Sequence, residues 1–440
     1  MSNFNRMQVA KNLSEMIKIE TITNEKDKSK IYELQGLFER LYPNLHKKAE
    51  KIELDGSLLF KIKGKNSDKE PMLIMSHQDV VEAEGEWKYQ PFSGAIEEDC
   101  VWGRGTVDTK GSLCAFLEAT ESLLKEGFIP ESDLYLASSC DEETNGVGAK
   151  NTVKYLKEKG VKLGIVLDEG GAIVNAPLPG AKGYYAMLGI LEKGYANVKF
   201  TAKSLGGHAS APTKNTPIAR ISAFVNEVNT KSPFKYKLTP PVKAMFKEMS
   251  TSMSQPYKFL FGNIDLFSPL LTKVLPKFSA QANAMLTTTC AFTMSEGSMA
   301  PNIIPESASV VANMRFMIHQ RKDESLKIIE ELAKKYDITM EVLYSHDCSN
   351  VSDTNSDSYK YLCKSIKEVF PDVNVAPYIM LAGTDSRHYC DVCDCVIRFA
   401  PLKLNNQQLN SPHGINENVS IDSLVGACEF YRYFIQNYGK

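Results

Sequence analysis

The sequence is short of several features, and each shortage removes a class of function. No stretch approaches the ~18 consecutive apolar residues of a membrane-spanning helix. Charge of one sign is missing too: 51 basic residues face 53 acidic ones, a net of −2. Neither nucleic acid nor a membrane is therefore an expected partner. The opening residues, MSNFNRMQVAKNLSEMIKIE, lack the apolar core and small-residue cleavage site of a secretory signal, so a soluble, cytoplasmic protein is expected. Ten cysteines are scattered, and the pair Cys390 and Cys393 has no second pair at zinc-ribbon spacing. Reduced, mostly buried thiols follow from that pattern. Repeats and low-complexity tracts are absent, and the glycines around Gly103 and Gly105 do not form the G-x-G-x-x-G of a dinucleotide site.

What is present points to chemistry at strand ends. A 440-residue chain with 43% apolar residues divides into two or three domains at roughly 150 residues each. Met72 to Met75 is a short apolar run that breaks into Ser76, His77, Gln78 and Asp79, which reads as a buried strand entering a polar loop. Val101 to Gly111 repeats the layout and delivers Asp108. Leu134 to Ser139 ends in Asp141, Glu142 and Glu143, and Ile165 to Leu167 ends in Asp168 and Glu169. In open α/β sheets ligands bind outside the strand C-termini, so these four ends are expected to converge. Imidazole and carboxylate donors gathered there suit a divalent ion, and the spacing of His77 and Asp79 suggests that Asp79 takes the other N–H of a ligating imidazole.

Alternating helical and strand-like segments over residues 1–188 predict an α/β catalytic domain with a mainly parallel sheet. Helices are expected near Met7 to Ile19, with Val9, Leu13, Met16 and Ile17 on one face, and over Leu113 to Glu126. Residues 189–316 read as an inserted α+β lid domain, with alternating strands at Tyr195 to Ala202 and Ser309 to Phe316. Within it, 232–284 is rich in Pro, Met, Phe and Lys and shows no readable chemistry. The α/β pattern resumes over 317–440.

Of seven histidines, His77, His208 and His413 lie beside glycine or polar loop residues. At this point the chain resembles a family: the zinc-dependent amidohydrolases and exopeptidases that include carboxypeptidase S, aminoacylase, succinyl-diaminopimelate desuccinylase and the N-fatty-acyl-amino-acid hydrolases. The matching stretches are SHQDVV, PFSG, VWGRGTVDTKGSL, DEETNGVGA, VLDEGG, GGHAS, APNIIP, GTDSRHY and SPHGINE, which span nearly the whole chain. The branch with the strongest likeness is that of carboxypeptidase S.

The resemblance implies a di-metal exopeptidase-like fold and two divalent ions, zinc by expectation, with cobalt or manganese as alternatives. His77 and Asp168 would hold one ion, Glu143 and His413 the other, with Asp108 bridging. Glu142 would be the general base, an order the residues alone leave open between Glu142 and Glu143. His208 would reach from the lid to the oxyanion, Asn302 and Arg315 would hold the substrate, and Gly383, Thr384 and Ser386 would line the site with backbone donors. The expected substrate is a small peptide or an N-acyl amino acid. A homodimer through the lid is also expected, unless the 232–284 insert covers the edge it would use. Rival readings are a dipeptidase or other amidase of the same family, and a binding protein without turnover, against which an intact Glu142 argues.

Overall fold

The computed structural model describes residues 3–24 and 26–440. The short apolar runs LYLAS, MLIM, IVLD and VIR become strands Leu134–Ser138, Met72–Met75, Ile165–Asp168 and Val396–Arg398, buried at every residue. They lie side by side in that order and run parallel, as strands covered on both faces do. A ten-stranded sheet extends outward from them. It is antiparallel through Ser57–Ile62 and Glu50–Leu54 at one end and mixed around Tyr184–Glu192 at the other. This is the mixed α/β fold with a mainly parallel centre that the alternation implied.

Helical periodicity translates into packing. Arg6–Ile17 buries Val9, Leu13, Met16 and Ile17, and Lys110–Lys125 buries Leu113, Phe116, Leu117, Leu123 and Leu124. These two helices pack with Ile421–Asn437. The strand before Asp108 does not belong to the main sheet, however. Cys100–Trp102 sits in a three-stranded sheet between Ile96–Glu97 and Asn418–Ser420, so three of the four expected strand ends come from one sheet and the fourth from another.

The chain leaves the main sheet at Glu192 and builds a four-stranded antiparallel sheet in the order Thr289–Glu296, Ser307–Phe316, Gly194–Lys203, Thr339–His346. Helices Pro217–Thr230 and Lys322–Lys334 pack on it. The expected return to the first domain at 317 is thus too early, because Thr339–His346 hydrogen-bonds along Gly194–Lys203. The 232–284 segment folds into short helices, of which Pro240–Ser250 packs on Val373–Met380. That strand pairs only with Tyr184–Glu192. The insert therefore covers a strand of the main sheet, and its Lys235 also reaches the lid, donating from N–H to Gln320 Oε1 at 3.0 Å and from Nζ to Glu324 Oε1 at 3.1 Å.

Two crossings join the units and touch each other. Ser349 N–H donates to Glu192 O at 3.2 Å, and Glu192 N–H donates to Ser349 Oγ at 2.9 Å. Glycine is required at 194, where a Cβ would lie 2.8 Å from Cys348 N and 3.0 Å from His346 O. Lys193 is buried, donating from Nζ to Ala284 O and Thr287 O, and burial lowers its pKa to about 7.

Candidate metal centre

The loop after Met72–Met75 holds a carboxylate removed from solvent. Asp79 is 0% exposed. Its Oδ1 accepts from Glu142 N–H at 3.2 Å, and its Oδ2 accepts from Glu143 N–H at 3.1 Å and Thr23 Oγ1 at 2.7 Å. Burial alone would raise its pKa, but hydrogen bonding and charge from His77, with Thr23 and the Glu143 amide, hold it below the usual value. His77 Nδ1 lies 2.9 Å from the Asp79 main-chain carbonyl and 3.4 Å from Oδ1. The nearest partner of the imidazole is thus the peptide oxygen, and the carboxylate's hydrogen bonds go chiefly to the backbone of the 142–143 turn.

Around this anchor the expected donors gather. His77 Nε2 is 3.1 Å from Asp108 Oδ1, His413 Nε2 is 3.2 Å from Asp108 Oδ2, and His413 Nε2 is 3.0 Å from Glu143 Oε2. Asp108 therefore stands between two imidazoles. Ligand atoms of His77, Asp108 and Glu143 lie within 4.8 Å of one another. Asp168 ends the strand beside Met72–Met75, with Ile74 paired to Leu167. Burial raises the pKa of Asp168 and raises those of Glu142 and Glu169 well above the ordinary range, with neighbouring carboxylates adding to it. Hydrogen bonds donated by its ring to Asp108 and Glu143 raise His413 to about 10, and the Asp108 and Asp79 carboxylates raise His77 against the effect of its own burial.

This arrangement fits divalent cations. Glu143 Oε1 is buried without a hydrogen-bond partner among the described residues, a vacant acceptor that normally costs ~1–3 kcal/mol. Several carboxylates share the space with only two imidazoles, and histidine nitrogen with carboxylate oxygen is a donor set for zinc, and for cobalt or manganese.

A second buried carboxylate, which the sequence reading passed over, holds the other half of the cluster. Glu417 is 0% exposed. Its Oε1 accepts from Val107 N–H at 2.8 Å and Asp108 N–H at 3.0 Å, while its Oε2 accepts from Gly105 N–H at 3.0 Å and Arg104 Nη1 at 2.7 Å. Arg104 also donates to Gly414 O at 2.9 Å, next to His413. The pair thereby joins the Asp108 loop to the His413 loop. Glu417 lies in the SPHGINE stretch, so the residue was in view. What sequence could not give was its burial.

Other expected residues stand elsewhere. Thr384 and Ser386 are 0% exposed, and their groups are engaged internally. Thr384 N–H and Oγ1 donate to Glu192 at 3.1 and 2.7 Å, and Ser386 N–H donates to Asp168 Oδ2 at 3.0 Å. Their backbone donors are taken up by Glu192 and Asp168, which corrects the expectation that these N–H groups are free to line the site. Gly383 is partly exposed beside them. The Glu192 they serve is paired to buried Arg398 at 2.6 Å. Asp385, also missed, is buried and raised to about 7 by that burial, although it accepts a hydrogen bond from Ser139 Oγ. His208 lies exposed on a two-stranded ribbon of the lid, bonded to Ser210, and Asn302 is exposed beside it, its carbonyl accepting from Ala209 N–H. The structure does not bring either into hydrogen-bonding contact with the cluster. Arg315 is desolvated, its guanidinium 4.5 Å from the Tyr195 ring centre and its Nε 3.3 Å from Asn313 Oδ1.

The Glu417 geometry makes a prediction. Glu417→Gln keeps the shape but turns one acceptor oxygen into a donor facing N–H groups, so stability should fall by ~1–3 kcal/mol. Divalent-metal affinity should drop about 10–100-fold, the usual effect of losing a group that orients a ligand. Thermal unfolding and metal titration of the same preparation check both, and unchanged metal affinity would contradict the role given to Glu417.

Comparisons with known proteins bear on the family and the fold. The model of peptidase family M20/M25/M40 matches residues 73–437. The N-fatty-acyl-amino acid synthase/hydrolase PM20D1 of Xenopus tropicalis is 32% identical over 98% of this chain and 86% of its own length. A probable carboxypeptidase S-like 2 of Dictyostelium discoideum is 32% identical over 99% of this chain and 86% of its own. Among solved structures, an M20 family metallo-carboxypeptidase from Sulfolobus solfataricus superposes with a TM-score of 0.70 at 21% identity, covering 98% of this chain and 99% of that one. A family match over most of the chain, joined to two relatives aligned nearly end to end, establishes that the chain belongs to the peptidase family M20/M25/M40.

Proposed function

We propose that this enzyme hydrolyses the amide bond of N-acyl amino acids or of C-terminal peptide bonds, releasing an amino acid with a free carboxylate. The observation that carries the reading is Glu142. Burial raises the pKa of its carboxyl, opposed by His77 and reinforced by Asp385, Glu143 and Asp108. His77 and Asp168 would hold one divalent ion, Glu143 and His413 another, with Asp108 shared; zinc suits this set, and cobalt or manganese are alternatives. When bound, such ions supply Lewis acidity towards an amide carbonyl and acidify water.

The chain's own residues do the rest. Glu142 takes the proton of the attacking water and returns it to the leaving amine, for which a raised pKa is the useful direction. Asp79 keeps Glu142 and Glu143 at their distinct stations by binding both backbone amides. Arg315 would clamp the carboxylate of the released residue, since its guanidinium is desolvated and its single hydrogen bond among the described residues goes to Asn313. His208 and Asn302, on the exposed ribbon, would meet the substrate only after the lid moves, or from a partner that pairs through the lid.

Three outcomes follow. A panel of N-acyl amino acids and dipeptides, assayed with zinc, cobalt or manganese, should show turnover that chelation abolishes. Glu142→Gln should then lose about 10²–10⁴-fold in kcat with bound metal near the wild-type amount, and a metal-depleted Glu142→Gln protein would mean that Glu142 is a ligand.

The second outcome concerns protons. In the metal-free protein His413 and His77 are raised by facing carboxylates. Their ion-pair stabilisation is fully present below the unfolded imidazole value of ~6.5 and is lost as pH rises, for His413 through about 10. A ligating imidazole must be neutral, so metal uptake near pH 7 should release about two protons per chain and weaken as pH falls. Calorimetry in buffers of different ionisation enthalpy measures this, and metal binding without proton release would contradict it.

The third concerns Arg315. Amidating the substrate's carboxylate should cost wild type roughly 30-fold to several-thousand-fold in kcat/KM, by analogy with ~2–5 kcal/mol for a broken buried charge pair. Arg315→Ala should discriminate little. Equal discrimination by the two proteins would remove Arg315 from carboxylate recognition.

A further inference from the structure

The 232–284 segment takes no part in the chemistry above, yet it is the most unusual surface of the molecule. It holds seven lysines against two acidic residues, a balance of +5 in a chain whose net charge is −2, so the remainder carries −7. The whole-chain balance conceals this asymmetry. Its helix Ile264–Val274 is apolar on both sides: Ile264 and Leu271 are buried, while Leu266 and Leu270, one turn apart, are 74% and 56% exposed. Phe259, 57% exposed, makes ring contact with Phe267 of the same helix, and Phe278, 75% exposed, follows the 3-10 turn that packs on it. A helix whose outward side is also apolar is unusual on a water-facing surface.

Charge around this face is mostly positive. Lys258, Lys273 and Lys277 are exposed in the same helices and turn. Of the two acids, Asp265 is paired with Lys243 at 2.8 Å and Glu248 lies in the preceding helix, Pro240–Ser250. Together the exposed apolar side chains offer about 500 Å², in the range of functional patches but well below the ~800 Å² per partner that a specific dimer buries. A second copy is thus a poor fit by area.

We propose that this face docks the protein on an anionic lipid bilayer, with Leu266, Leu270, Phe259 and Phe278 entering the headgroup and acyl boundary and the lysines meeting lipid phosphates. The helix would lie flat in the interface, as amphipathic segments with an apolar face and a lysine fringe do. Docking depends on apolar area and on charge together, so it weakens when either is removed and when salt screens the lysines. The inference is independent of the hydrolytic reading, because it is tested by binding alone.

The test is co-sedimentation of the full chain with vesicles of phosphatidylcholine alone, or of phosphatidylcholine and phosphatidylglycerol in equal parts. Wild type should bind the anionic vesicles in low salt and leave the neutral ones. Leu266→Ser with Leu270→Ser, and separately Lys273→Glu with Lys277→Glu, should each weaken partitioning about tenfold or more, with unfolding temperatures unchanged because the substituted side chains are exposed. No binding to anionic vesicles, equal binding to both compositions, or variants that bind as wild type does would overturn the proposal. So would a concentration-dependent dimer that Leu266→Ser with Leu270→Ser dissociates, since the occupant would then be a second copy.

Discussion

The centre of this protein depends on a buried negative charge whose oxygens are occupied by backbone amides and a threonine hydroxyl. Asp79 accepts from two successive amides of the 142–143 turn and from Thr23, while its main chain takes the imidazole of His77. One residue therefore sets the direction of two neighbouring glutamates and one histidine. The cost of burying a carboxylate, several kcal/mol if unpaired, is offset because every donor is a fixed group of the fold. Glu417 repeats the device for Asp108 and, through Arg104, for the His413 loop. Neither anchor belongs to the proposed ligand set, whose carboxylates would thus be left free to bind.

That arrangement explains why so much like charge can be concentrated. Asp108, Glu142, Glu143, Asp168 and Glu169 would repel one another in a low-dielectric space, and the raised pKa values of Glu142, Asp168 and Glu169 record the strain. Imidazolium partners relieve part of it in the metal-free protein, and divalent charge relieves more. The Glu192–Arg398 pair, at 2.6 Å, gives the lid crossing a comparable fixed point. Through Thr384 and Ser386 it links that crossing to Asp168 at the end of its strand in the main sheet.

The main sheet and most of the cluster were legible because their signals are local. MLIM followed by SHQD and IVLD followed by EGG announce a buried strand and its polar end within a few residues, and helix 110–125 shows its buried face by spacing alone. Roles were not legible in the same way. Nothing nearby distinguishes Glu142 from Glu143, and only the family resemblance ordered them. Glu417, Glu192 and Asp385 escaped because a buried acid is written with the same letter as a surface one, and its partners arrive from distant segments. For Thr384 and Ser386 the resemblance implied free backbone donors, and sequence could not show that their N–H groups are taken up by Glu192 and Asp168. The lid boundary failed at Thr339–His346 because a strand following a helix does not say which sheet it joins. Whole-chain charge similarly averaged away the lysine-rich insert.

The two proposed cation positions sharing Asp108 are tested most directly by anomalous diffraction from crystals of the metal-loaded protein. Two peaks are predicted per chain, one bounded by His77 and Asp168, the other by Glu143 and His413, both touching Asp108, with Asp79 and Glu417 in contact with neither. A single peak, or peaks away from these side chains, would contradict that assignment.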